Sequence, residues 1–143
     1  MERLHGHTIN WFLGGSAALA ARGIPVAPRD FDIITDDAGA QQLGTLFADV
    51  LIEPVVPVHG WMCNWFGRAF LEARFEWVGG VDARADTPHV SDYGPIAAQR
   101  LEVIVWQGYE IFVPPLDLQL AVSQQRGLTE RVAAIERYQT ARR

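Results

Sequence analysis

The sequence predicts a single domain over residues 1–143 of the α/β (α+β) class, with a mixed β-sheet flanked by helices. Strand-like apolar runs alternate with helix-like segments, a hairpin signal appears late in the chain, and no linker, repeat or low-complexity tract divides it. A hydrophobic fraction of 49% and a charged fraction of 20% are ordinary for a globular protein and argue against disorder. A chain of 143 residues is long enough to bury a core.

The first segment predicts a strand, a glycine turn and a short helix. Residues 8–13 have the character of a buried strand, although Asn10 interrupts the apolar run. Ser16, after the glycine pair, is predicted to be the N-cap of an alanine-rich helix over residues 17–22, which ends at Gly23.

A second strand and helix are predicted next. Residues 30–35 form an apolar run that contains two aspartates at alternate positions. Asp36 and Asp37 are predicted to cap a helix over about residues 38–50, in which apolar residues recur at helical spacing.

The middle of the chain predicts one long strand between two loops. Pro54 and Pro57 break the regular pattern, and residues 59–67 are interpreted as an aromatic-rich loop. Residues 68–78 alternate between an apolar and a largely polar set, which predicts a strand with one packed face. The polar stretch over residues 82–94 predicts a long loop.

The last part predicts a hairpin and two helices. Residues 101–106 and 109–113 form the two strands of the hairpin, with Gln107-Gly108 as its turn. Pro114-Pro115 begin a helix that extends to about residue 125, and Thr129 is predicted to cap a final helix through residue 138.

The two aspartates of the second strand are the strongest chemical signal. Side chains alternate across a strand, so Asp30 and Asp32 share one face. Two adjacent carboxylates repel each other unless they are solvated or bind a cation, and their oxygens suit hard divalent ions such as Mg²⁺. The structural alternative is a solvated polar face. We favour the metal site because aspartate is depleted in strands and the glycine motif lies upstream.

The glycine turn adds a second component. Gly14, Gly15 and Ser16 lie where a strand is followed by a helix, and backbone N–H groups in such a turn can bind an anion. A tight turn needs glycine without any ligand as well, and the two interpretations are compatible. An anion-binding turn beside a carboxylate pair is the equipment for phosphoryl or nucleotidyl transfer.

Together these residues resemble the nucleotidyltransferase superfamily related to DNA polymerase β. The shared pattern is an apolar residue, Gly, Gly or Ser, a short gap, and then Asp-apolar-Asp/Glu-apolar; Gly14-Gly15-Ser16 and Asp30-Phe31-Asp32-Ile33 fit it. The resemblance covers the first third of the chain well and the remainder loosely. The lysines common in the C-terminal part of small relatives are missing here, since the chain contains no lysine.

The resemblance implies roles for particular residues. Asp30, Asp32 and a third carboxylate from a later strand would hold Mg²⁺ (or Mn²⁺), and Glu76 is our candidate for the third. Glu72 is its main competitor, and Glu102 and Glu110 are weaker ones. Gly14, Gly15 and Ser16 would bind the phosphates of an NTP.

Three further side chains have two interpretations each. Arg74 could contact the triphosphate, or it could pair with Glu72 or Glu76. Trp61 and Trp65, near Phe66, could stack on a base or an acceptor, or could pack in the core or at a dimer interface. Glu76, Glu102 and His89 are alternatives for a general base.

Composition limits the partners. The formal net charge of −5 argues against a nucleic-acid partner, which a basic face would normally bind. Cys63 is the only cysteine, so there is no intramolecular disulfide and no thiolate zinc site. No run is long enough to span a bilayer and no signal-peptide pattern is present, so we expect a cytoplasmic protein without a membrane partner.

We therefore expect a small Mg²⁺-dependent nucleotidyltransferase. It would move a nucleoside monophosphate from an NTP such as ATP to a hydroxyl of a small molecule or a protein, with release of pyrophosphate. A homodimer or a partner protein would complete the site of so short a chain. The alternatives are a catalytically lapsed binding module, for example a toxin–antitoxin partner, and an unrelated α/β domain with an accidental motif.

Overall fold

A computed structural model describes residues 1–143. It contains seven strands: β1 (Trp11–Gly14), β2 (Asp30–Thr35), β3 (Leu51–Pro57), β4 (Trp65–Leu71), β5 (Ala73–Gly79), β6 (Glu102–Trp106) and β7 (Tyr109–Val113). It contains five α-helices: α1 (Gly15–Ala21), α2 (Asp37–Leu46), α3 (Pro95–Ala98), α4 (Leu116–Gln125) and α5 (Thr129–Ala141). Single 3₁₀ turns occupy Ala48–Val50 and Ala83–Asp86.

Five strands form one mixed sheet in the order β1-β2-β5-β4-β3. Strands β2 and β5 are parallel, and the other neighbours are antiparallel. Strands β6 and β7 form a separate two-stranded antiparallel sheet. The predicted mixed sheet flanked by helices is therefore confirmed. The parallel pair positions the candidate site, because it brings two distant polar strand segments side by side.

Alternation along β2 and β5 separates the core from the polar residues. Ile33 and Trp77 lie on the face that packs against α2, where they join Leu43 and Phe47 in the main hydrophobic cluster. The Trp77 side chain is 1% exposed, and its indole Nε1–H donates to the Ala40 carbonyl oxygen at 3.1 Å. Anchoring this face leaves the other face of β2 and β5 to the carboxylates.

Strand β4 passes directly over the Trp77 ring at Gly67. A Cβ atom at Gly67 would lie 2.4 Å from two ring carbons, so any side chain there would have to displace a buried indole. We expect Gly67→Ala to lower the free energy of unfolding by about 1–3 kcal/mol, the usual range for overpacking a core. Urea denaturation would measure this loss. The control is Phe70→Ala on the same strand, where the ring is 55% exposed and a change within about 0.5 kcal/mol is expected.

The long strand predicted over residues 68–78 is wrong. The chain turns back at Glu72, whose φ of +62° is left-handed, and Leu71 pairs with Ala73 across the turn. A reversal through a single residue preserves the alternation of apolar and polar side chains. One continuous strand and this hairpin therefore have the same sequence pattern.

Strand β3 is absent from the sequence prediction, which took Pro54 and Pro57 as breaks. Both prolines lie within β3, at the edge of the sheet, and the pairing of β3 with β4 shifts register on either side of Glu53. An edge strand with irregular pairing tolerates residues that lack an N–H donor. The predicted loop over residues 59–67 consequently ends early, at Trp65.

Helix boundaries confirm some predicted caps and correct others. Asp36 caps α2, since its side chain accepts a hydrogen bond from the Gly39 N–H at 2.7 Å. Gly14 rather than Ser16 is the N-cap of α1, because the helix begins immediately after the strand, at Gly15. Thr129 is the first residue of α5 and makes no capping hydrogen bond. The hairpin over β6 and β7 has the predicted turn.

None of the helices combines the length and the apolar character that crossing a lipid bilayer requires.

Candidate functional site

Three carboxylates meet on the polar face of the β2–β5 pair. In the parallel register Asp30 lies opposite Arg74, and Asp32 lies opposite Glu76. Each of Asp30, Asp32 and Glu76 offers an oxygen, and these atoms all lie within 4.8 Å of one another. The residues therefore fit the hard, oxygen-only ligand set that Mg²⁺ or Mn²⁺ prefers.

The glycine turn packs directly against this cluster. Gly15 has φ of +58°, and a Cβ atom there would lie 2.6 Å from Oδ2 of Asp32. Gly15 is therefore needed both for its backbone conformation and for the close approach to the carboxylate. The Ser16 side chain is half-buried and forms no side-chain hydrogen bond within the protein.

The turn is also held from the other side. The Gln119 side chain on α4 is 2% exposed and donates from Nε2 to the Gly15 carbonyl oxygen at 3.0 Å. This hydrogen bond joins residues 104 positions apart in sequence and fixes the turn relative to the C-terminal helices.

Two arginines neutralise part of the carboxylate cluster. Arg74 donates from Nη2 to both oxygens of Asp30 at 3.1 Å, and its Nε lies 3.6 Å from Oε1 of Glu76. Arg68, on β4, donates from Nε to the same Glu76 oxygen at 3.0 Å. The predicted ion-pair alternative for Arg74 is thus present toward Glu76, with Asp30 as the stronger partner, whereas Glu72 is not paired with it.

Asp32, unlike Asp30 and Glu76, forms no ion pair with an arginine. Burial raises the pKa of Asp32 above its ordinary value, and the negative charges of Glu76 and Asp30 raise it further, while Arg74 opposes the shift. A cation bound beside Asp32 would remove the repulsion that raises this pKa, so the uncompensated charge favours metal binding.

The competing carboxylates lie elsewhere. Glu72 is in the β4–β5 turn, where it lines a cavity formed by residues of the opposite sheet face. Glu102 is engaged by Arg22 at 2.6 Å and accepts from the Leu116 N–H. Glu110 is exposed on the hairpin. The structure therefore brings Glu76, and none of its three competitors, beside the two aspartates.

A cavity of about 470 Å³ opens beside the carboxylates. Gly15, Asp32 and Glu76 line one side of it, and Arg126 and Arg131 from the C-terminal helices line another. Neither of these two arginines forms a salt bridge with an acidic residue, so both guanidinium groups are available to an anion. Trp61, Phe66 and Tyr93 add aromatic surface to the cavity, while Trp65 packs against the hydrophobic core.

Asp92 is a cavity residue that sequence reasoning missed. It follows a loop that Asp86 holds, because Asp86 accepts from the N–H and hydroxyl of Ser91 at 2.9 and 3.0 Å. Burial raises the pKa of Asp92, and its own backbone hydrogen bond and the charges of Arg126 and Arg131 partly offset the rise. Nothing in the local sequence distinguishes Asp92 from a solvated loop residue. Arg131 was missed as well, because only the packing of α5 brings it to the cavity.

The fold of this chain is the nucleotidyltransferase-like fold that the sequence predicts. The crystal structure of a "putative nucleotidyltransferase" from Thermotoga maritima is similar over 98% of this chain and 88% of its own, with a TM-score of 0.68 and 21% sequence identity. The TM-score over nearly the whole chain establishes the shared fold. No protein-family model matches the chain, and comparison with curated proteins gives no match.

Proposed function

We propose that the protein is a Mg²⁺-dependent nucleotidyltransferase that transfers a nucleoside monophosphate from an NTP to an acceptor hydroxyl. One observation carries the proposal. Asp30, Asp32 and Glu76 place oxygens within 4.8 Å of one another, directly beside a glycine turn that cannot accept a larger residue. Clustered carboxylates can bind the metal ions that phosphoryl transfer requires. In a purely structural strand pair, the same like charges would only repel one another and would not stabilise the fold.

The proposed reaction exchanges the α–β phosphoanhydride bond of the NTP for a phosphate ester bond to the acceptor. The acceptor oxygen attacks the α-phosphorus, the bond to the β-phosphate breaks, and pyrophosphate leaves with the negative charge released. When bound by Asp30, Asp32 and Glu76, Mg²⁺ (or Mn²⁺) supplies Lewis-acid stabilisation of that charge. The backbone N–H groups of Gly14 and Gly15 and the Ser16 hydroxyl orient the phosphates.

The arginines have separate proposed tasks. Arg126 and Arg131 line the cavity, form no direct salt bridge, and attract the triphosphate. Arg74 currently balances Asp30, and a cation on the carboxylates would free it to contact a phosphate. The proton of the acceptor hydroxyl goes to a cavity carboxylate: Glu76, which is one of the three alternatives from the sequence, or Asp92, which is an addition from the structure.

The acceptor and the partners are proposed from the net charge of the protein and from the shape of the cavity. The net charge of −5 disfavours nucleic acid, so we propose a small molecule or a protein side chain as acceptor. Since the cavity is open beside the triad, a second copy or a partner protein would supply the remaining wall. The second candidate function is a lapsed module that binds nucleotide without turnover, and the missing C-terminal lysines favour it.

Calorimetric titration of each of the four NTPs in the presence of Mg²⁺ tests the proposal. We expect at least one NTP to bind the wild type, and binding to disappear without the metal and in Asp30→Asn/Asp32→Asn. Glu130→Gln/Glu136→Gln on α5 removes two exposed charges as a matched control and should bind normally. Failure of a folded wild type to bind any NTP would contradict the proposal. Binding without release of pyrophosphate from labelled NTP, over a panel of acceptors, would favour the lapsed module.

A further inference from the structure

A second cavity, of about 690 Å³, lies on the opposite face of the sheet from the carboxylate triad. Phe31 and Phe75, which alternate with the site residues along β2 and β5, form its floor. Trp106 and Tyr109 reach it from the β6–β7 hairpin, and Trp11 reaches it from β1. Its volume falls within the range of sites that enclose a small molecule.

The walls of this cavity are aromatic and remain partly uncovered. Trp11, Phe31, Phe75, Trp106 and Tyr109 are all only partly buried. Phe31 and Phe75 stack with their centroids 5.1 Å apart, and Trp106 lies 6.0 Å from Phe31, so the rings form a continuous surface. Ring faces carry negative potential and attract cations.

One cation already uses this surface. The Arg3 guanidinium lies 5.8 Å from the centroid of Phe47, which stacks on Phe75 at 5.7 Å. Asp49 neutralises that guanidinium through two hydrogen bonds, at 2.6 and 2.9 Å. The remaining rings of the wall have no cation over them, since the other two cation–ring contacts of the protein involve Phe66 and Tyr138.

The charge of the rim has the matching sign. Glu2 and Glu72 line the cavity, are exposed, and form no salt bridge. With Arg3 balanced by Asp49, and with the N-terminal ammonium of Met1 also at the cavity, the rim keeps one net negative charge beside the aromatic wall. Glu72 also adopts the left-handed conformation that glycine or asparagine would occupy more easily, so a carboxylate is placed at this turn against local preference.

We propose that this second cavity binds a small organic cation, a protonated amine or quaternary ammonium group on an apolar or aromatic body. The apolar body packs against the aromatic wall, and the cationic group lies over a ring face. The two glutamates complement the charge of the cation. The site is independent of the nucleotidyltransferase proposal, because none of its lining residues belongs to the triad or the glycine turn.

Benzyltrimethylammonium is the probe, and benzyl alcohol is its uncharged counterpart. Titration in excess Mg²⁺, followed by the indole N–H signals of ¹⁵N-labelled protein, reports on each tryptophan. We expect shifts at Trp11 and Trp106 and none at Trp61, which lines the triad cavity. Affinity for the cation should exceed that for the alcohol by about fivefold, the usual effect of a partly exposed cation–π contact.

Charge variants of the rim complete the test. Glu72→Gln should weaken cation binding about threefold and Glu2→Gln/Glu72→Gln about tenfold, with binding of the alcohol unchanged. Glu110→Gln, an exposed position on the outer face of β7, should leave cation binding intact. The proposal would be overturned if the shifts occurred at Trp61 instead, or if no signal shifted at tens of millimolar probe. It would also be overturned if the two probes bound with equal affinity, or if Glu110→Gln weakened cation binding as much as the rim variants do.

Discussion

Asp32→Asn is expected to abolish nucleotidyl transfer and at the same time to stabilise the metal-free protein. Asp32 is partly buried, has no arginine partner and lies between Asp30 and Glu76, so its charge contributes repulsion until a cation binds. Its removal should lower turnover at least about a thousandfold, and raise the metal-free free energy of unfolding by on the order of 1 kcal/mol. Labelled-NTP turnover and urea denaturation measure the two effects.

The stability gain should depend on pH in a defined direction. Because the folded-state pKa of Asp32 lies above its ordinary value of 3.8, folding favours the protonated carboxyl. The destabilisation that the Asp32 charge causes is present at pH values above the folded-state pKa. It disappears as the pH falls through the folded-state pKa toward the ordinary value. The difference between Asp32→Asn and wild type should therefore shrink on acidification. The control is Glu136→Gln on α5. A variant that loses stability at neutral pH, or that keeps full turnover, would refute this account of Asp32.

Gly15→Ala is expected to weaken Mg²⁺-dependent NTP binding at least about tenfold and to lower the free energy of unfolding by about 2–4 kcal/mol. Two effects combine here. A left-handed φ of +58° disfavours any side chain, and the new methyl group would lie 2.6 Å from Oδ2 of Asp32. Relief of that contact moves either the turn or the carboxylate, and both belong to the proposed site. Calorimetry and denaturation measure the outcome.

Gly23→Ala separates the two effects. Gly23 also has a left-handed φ, of +93°, yet a Cβ atom there meets nothing within 4 Å. This variant should lose about 1 kcal/mol from backbone strain and should bind NTP normally. If Gly15→Ala matches Gly23→Ala in NTP affinity and in free energy of unfolding, then the close approach of the turn to Asp32 does not contribute to NTP binding.

Local signals in the sequence were sufficient for the elements that form within a few residues. The bounds of β2, the cap at Asp36 and the β6–β7 turn depend on alternation, a short side-chain hydrogen bond and a Gln-Gly pair, all of which are visible in order along the chain. The one-residue reversal at Glu72 leaves alternation unchanged, and the prolines of β3 are acceptable only because that strand lies at an edge. Alternation does not reveal the reversal, and the edge position depends on the whole sheet, so both segments were predicted wrongly.

The candidate site shows the same division. Asp30, Asp32 and the glycine turn were recognisable because they share a strand or follow one directly. Placing Glu76 beside them depends on the parallel pairing of β2 with β5, which alternation does not specify. Asp92 and Arg131 reach the cavity only through the packing of the C-terminal helices and the Asp86-held loop, so no short sequence pattern could identify them.

The irregular edge strand has a consequence for assembly. At one side of the five-stranded sheet, Pro54 and Pro57 remove N–H donors and the register shifts; at the other side, β1 is only four residues long. Neither border offers the long row of free backbone groups with which sheets of two molecules join. A second copy that completes the proposed site would therefore associate through side chains and helices and would not extend the five-stranded sheet.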